Sequence, residues 1–70
     1  ITNINGGQMT HYPIGTLVKH RHFDKRTLGI VKSVVTSYTK VLMVVSWFST
    51  LEETMDEMWE LISIEEIDND

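Results

Sequence analysis

Residues 40–48 read KVLMVVSWF. Valine, tryptophan and phenylalanine suit a pleated surface better than a helix, so this stretch is expected to be a strand. Side chains on a strand alternate between two faces. Val41, Met43, Val45 and Trp47 therefore share one face, and Leu42, Val44 and Phe48 share the other, with only Ser46 interrupting the second set. A half-exposed strand is apolar on one face alone. A strand apolar on both has one face against the core and a second that something else must cover. Exposed apolar surface of that size marks an association site.

Working outward, LGIVKSVVT (28–36) is a second strand rich in β-branched residues, joined to the first by a tight turn at Ser37–Tyr38. TLVKH (16–20) is an earlier strand, entered through a turn at PIG (13–15), where Gly15 tolerates backbone angles that other residues avoid. RHFDKRT (21–27) is a polar loop with Phe23 folded back as its anchor. STLEET (49–54) reads as a connection. MDEMWEL (55–61) is open between a fourth strand and a short helix, because Met55, Met58, Trp59 and Ile62 recur at helical spacing and Thr54 with Glu57 resembles a capping box. LISIEEIDND closes with a short strand or turn and an acidic end. Trp47 and Trp59 are expected to pack together in the core.

The expected organisation is an arm over residues 1–12, one domain over 13–67 and a frayed acidic tail over 68–70. The arm is polar and rich in Asn and Gly, with Met9 and Tyr12 as docking groups. Seventy residues with 41% hydrophobic content make one domain with a small margin of stability, which a partner would help. No cysteine is present, so disulfides, thiolate nucleophiles and cysteine-based zinc sites are excluded. No apolar run is long enough to span a bilayer and no signal-peptide pattern is seen, so the expectation is a protein without membrane partners.

The net charge of −4 hides a segregation: residues 1–49 hold all six Lys and Arg against Asp24 alone, and residues 50–70 hold the other nine carboxylates. Either the chain has one positive and one negative face, or strand pairing brings the halves together and neutralises them.

The ordered series Ile14–Gly15–Leu17–Val18, Gly29–Ile30–Val31, Val45–Trp47, Trp59 and Ile64–Ile67 resembles the small SH3-like barrels of phage and bacterial genomes. GTLVKHRHFDKRTLGIV also resembles the N-terminal part of the hemimethylated-DNA-binding or heat-shock protein family. The resemblance implies a mostly β fold: a small SH3-like antiparallel barrel of four to five strands with an N-terminal extension. It favours strands over a helix at 55–61. It also implies a phage-type virion or accessory structural protein, in a virion or the host cytoplasm.

Several residue clusters carry chemistry of their own. KHRHFDKR (19–26) holds four of the six basic residues. Lys19, Arg21, Lys25 and Arg26 with Phe23 as a stacking ring make an alternative nucleic-acid contact, with weak DNA binding. His20, His22 and Asp24 alternate and would point one way in an extended chain. A His-x-His at a strand end more often has one packed and one wet ring, so no metal site is expected. No cofactor motif, phosphate loop or nucleophile–base arrangement is present, so no catalytic residues and no enzyme activity are expected. The primary expectation is a protein-interaction module docking on other subunits, in a homo-oligomer or a virion, through Leu42, Val44, Phe48, Met9 and Tyr12.

Overall fold

A computed structural model describes residues 10–65. Five strands form: β1 (Leu17–His20), β2 (Gly29–Thr36), β3 (Val41–Trp47), β4 (Glu53–Asp56) and β5 (Leu61–Ser63). A single 3₁₀ turn, Met58–Glu60, lies between β4 and β5. The strands make one antiparallel sheet in the order β4-β3-β2-β1-β5.

The sheet is open, which corrects the expected closed SH3-like barrel. β4 and β5 are its two edges, and each has one ladder partner, β3 and β1 respectively. At four and three residues these strands are short, and no ladder joins them. The sheet still bends enough for its inner face to gather a core of Tyr12, Val18, Val31, Met43, Val45, Trp47 and Leu61.

Local chemistry explains the framework. β3 buries Met43, Val45 and Trp47 on the face read from its alternation. β2 departs from simple alternation: the register shifts between Val31 and Ser33, so Lys32 is an extra residue. Such a bulge flips the parity of every later residue in the strand. Val31 and Val34 therefore both serve the core, and Val35 faces out opposite Leu42. Gly29 sits where a Cβ would lie 2.7 Å from the Trp47 ring and 2.9 Å from the Ser46 carbonyl, so the approach of β2 to β3 depends on its missing side chain. Gly15 adopts φ +97°, as the PIG turn predicts, and its amide donates to the Val31 carbonyl.

Three expectations change. The 55–62 region is neither one strand nor one helix, but the end of β4, the 3₁₀ turn and the start of β5. Trp59 does not pack on Trp47: it lies on that turn, 60% exposed, while Trp47 is buried. Tyr12, expected on a docking arm, is a core residue whose amide meets Met43 Sδ at 3.3 Å. Met9 and the acidic tail lie outside the described residues.

Among the described residues, pairing resolves the charge segregation for three of the six cations. Arg26 reaches Glu52 at 3.0 Å, Lys32 reaches Glu53 at 2.8 Å and Lys40 reaches Glu57 at 3.6 Å. Placing β4 beside β3 brings these carboxylates to the basic half of the chain. Exposed pairs of this kind contribute about 0–1 kcal/mol each, so they shape the surface field more than they hold the fold.

Candidate functional site

The bend of the sheet places His20, at the end of β1, against Asp56, at the end of β4. The two are 6% and 4% exposed. Glu60, on the 3₁₀ turn, completes a group whose ligating atoms all lie within 4.8 Å of one another. His20 Nε2 is 3.6 Å from Asp56 Oδ1 and 3.6 Å from Glu60 Oε1. In a flat sheet β1 and β4 would stand about 14 Å apart, three strand spacings, so this cluster exists only because the sheet bends.

The polar atoms around the cluster are engaged with one another. The Trp47 indole N–H donates to Thr54 Oγ1 at 2.7 Å, and the Thr54 hydroxyl donates to Asp56 Oδ2. On the other side of the ring, His20 Nδ1 accepts the backbone N–H groups of His22 at 3.1 Å and Phe23 at 3.2 Å. A nitrogen that accepts two donors carries no proton, so the ring proton sits on Nε2 and faces the two carboxylates. Burial, and then the hydrogen bond and charge of Asp56, push the Glu60 carboxyl above its ordinary value, with Glu57 adding and His20 opposing. Glu60 is thereby favoured as a proton donor to Asp56.

This tautomer bears on metal binding. A histidine that ligates through Nε2 normally donates its Nδ1–H to a neighbour. Here Nδ1 is occupied as an acceptor, so offering the Nε2 lone pair would cost both loop hydrogen bonds. The trio suits proton sharing and does not suit a cation. His22 and Asp24 do not join it: the strand ends at His20, and both are exposed in the loop. One packed and one wet histidine is the outcome expected of His-x-His.

The loop 21–26 is held by the cluster it flanks. Its ends are tied by the His20 amide to the Arg26 carbonyl and by the Arg21 amide to the Glu60 carbonyl, the latter at 2.8 Å. Arg26, paired with Glu52, lies 4.3 Å over the Phe23 ring. Phe23 meets His20 edge-on at 5.4 Å but remains 54% exposed, so it is an anchor on one edge only. Among the described residues Lys19, Arg21 and Lys25 make no ion pair.

The face expected to dock is solvent-facing in the structure. Leu42 pairs with Val35, and Val44 lies between Ser33 and Met55. Leu42 and Val44 are half-buried by their neighbours, whereas Val35, Met55 and Phe48 are exposed. An open groove of about 470 Å³ lies elsewhere, between Thr16–Leu17 and Ser63–Glu65, and no member of the histidine cluster lines it. Asp56, Glu60 and Trp59 were missed as site residues by sequence reasoning. Asp56 and Glu60 lie far along the chain from His20, in a segment whose type was open, and no motif links them.

No helix among the described residues is long and apolar enough to cross a membrane. No known protein family matches the chain, nor does any curated protein or solved structure. With the sheet open, the resemblance to SH3-like barrels and to the hemimethylated-DNA-binding family is withdrawn, and the chain stands as a small antiparallel β domain with a buried His–Asp–Glu cluster.

Proposed function

We propose that this domain is a non-enzymatic interaction module whose outer sheet face docks on a second copy of itself. The observation that carries the reading is the apolar outer surface of the central strands, where Val35, Leu42, Val44 and Met55 are neighbours across β2, β3 and β4. Its charged rim is already balanced: Lys32 is paired with Glu53 and Lys40 with Glu57. A face without surplus charge does not repel its own copy, whereas a charged partner would find no counter-charge there. The virion setting rested on the barrel resemblance and falls with it.

Size sets the expected strength. Five strands about 4.8 Å apart and three to eight residues long offer roughly 24 × 17 Å in projection. That falls short of the about 800 Å² per partner of a standard interface, so association should depend on concentration. Light scattering after size exclusion, across a hundredfold range of concentration, should show mass rising from monomer towards dimer. Val44→Lys and Met55→Lys should hold the monomer mass with an unchanged far-UV spectrum. A monomer at every concentration would refute the reading. So would loss of the fold in both variants, which would make this face part of the core.

A further inference from the structure

A second surface, at the other side of the histidine cluster, presents aromatic rings to water. Trp59 is 60% exposed, Phe23 is 54% exposed, and His22 is exposed with its ring 6.0 Å from that of Trp59. Tryptophan is ordinarily among the more covered side chains. An exposed one beside the His22 ring, with Phe23 next to His22 in the chain, suits a ligand with flat faces.

This corner also carries cations that no carboxylate of the described residues has taken up. Its carboxylates are engaged: Glu57 with Lys40 and the Trp59 indole N–H, Glu60 with His20, and Glu52 with Arg26. Among the described residues Lys19, Arg21 and Lys25 have no ion pair, and the one local carboxylate without a partner is Asp24. Three cations without an ion pair therefore stand at this corner beside Asp24, on a protein of net charge −4. The corner is also built in advance. His20 Nδ1 fixes the backbone of His22 and Phe23, and the Arg21 amide is bonded to the Glu60 carbonyl beside Trp59.

We propose that Trp59, His22 and Phe23, with Lys19, Arg21 and Lys25, form a binding site for single-stranded nucleic acid. Unpaired bases stack on the rings and the cations take the phosphates. A duplex would keep its bases stacked on one another and leave Trp59 unused. An acidic peptide would satisfy the cations but not the rings. The histidine cluster holds the loop in its binding shape, which lowers the ordering cost of association. The site goes beyond the docking face, shares none of its residues, and is tested separately.

Trp59 supplies the readout, because the other tryptophan, Trp47, is 1% exposed. Titration with an eight-nucleotide oligo-dT or oligo-dA should quench the exposed tryptophan to saturation. With three phosphates neutralised, affinity should fall about 20-fold between 50 and 200 mM salt, from a single-strand slope of about −0.7 per contact. By anisotropy of a labelled oligonucleotide, Trp59→Leu should weaken binding at least about fivefold, the low end for one stacked base. Arg21→Gln with Lys25→Gln should weaken binding and flatten the salt dependence. The variants' far-UV spectra should match that of the parent. Absence of saturable quenching would overturn the site. Equal affinity for a hairpin duplex or for inorganic polyphosphate would overturn it too, as would unchanged binding by Trp59→Leu.

Discussion

Thr54→Val tests whether the polar chain beneath the sheet holds the fold. The substitution keeps shape and β-branching and removes one hydroxyl. That hydroxyl accepts the Trp47 indole N–H at 2.7 Å and donates to Asp56 Oδ2. Trp47 is 1% exposed and Asp56 4%, so neither finds water in exchange. A buried polar group left without its partner costs about 1–3 kcal/mol. Asp56 keeps its contacts with His20 and Glu60, so its share lies at the lower end, and the two losses together come to about 2–4 kcal/mol. A 70-residue domain has roughly 3.5–10 kcal/mol in all, so the variant loses a large part of its stability. With an unfolding entropy of about 2.1 cal/mol/K per residue, the melting temperature should drop by roughly 14–27 °C. Urea titration followed by far-UV signal gives the free energy, and Thr54→Ser should restore most of it. A loss below about 0.5 kcal/mol for Val would refute the reasoning, since that is the range of an uninvolved surface change. Equal losses for Ser and Val would show that the hydroxyl alone does not account for the effect.

Glu60 gives a pH dependence with a definite sign. Its carboxyl lies above the ordinary value in the folded chain. Its contribution is therefore fully present below the unfolded Glu value and is lost as pH rises through the folded one. Urea midpoints of the parent should fall across that window and those of Glu60→Gln should fall less; parallel curves would assign the dependence elsewhere. Gly29→Ala drives a Cβ against the Trp47 ring and the Ser46 carbonyl and should cost about 1–3 kcal/mol by thermal melting. Leu51 is 90% exposed and holds φ 61°, so Leu51→Asn should stabilise by about 0.5–1 kcal/mol, and a loss would show that its side chain has a partner. Lys32→Gln, which breaks an exposed pair with Glu53, should change stability by less than about 1 kcal/mol.

The antiparallel β character, the turns at Gly15 and Ser37, and the buried set Met43, Val45 and Trp47 were legible in the sequence. Each rests on local physics: alternation, β-branching and glycine's freedom. The two-faced apolar strand was legible for the same reason, as was the segregation of charge that ion pairs at and around β4 neutralise in part. What failed was decided by partners remote in sequence. The bulge at Lys32 resets the parity of β2, which no periodicity announces. Closure of the sheet depends on whether two short edges meet, and in KVLMVVSWF nothing bears on that. Trp59 matched Trp47 as an expected core ring, yet a 3₁₀ turn puts it in water. Tyr12, in a polar segment, proved buried because Met43 receives it.

The histidine cluster shows the same division. A strand-terminal His-x-His implied one packed and one wet ring without deciding which of His20 and His22 is packed. Asp56 and Glu60, the partners of His20, arrive only when the sheet bends β4 towards β1. Local pattern determines what a segment is and which of its faces is apolar. Which segments meet, and so which charges are paired, buried or left free, is set by the tertiary packing, because those energies belong to pairs of residues that the chain keeps far apart.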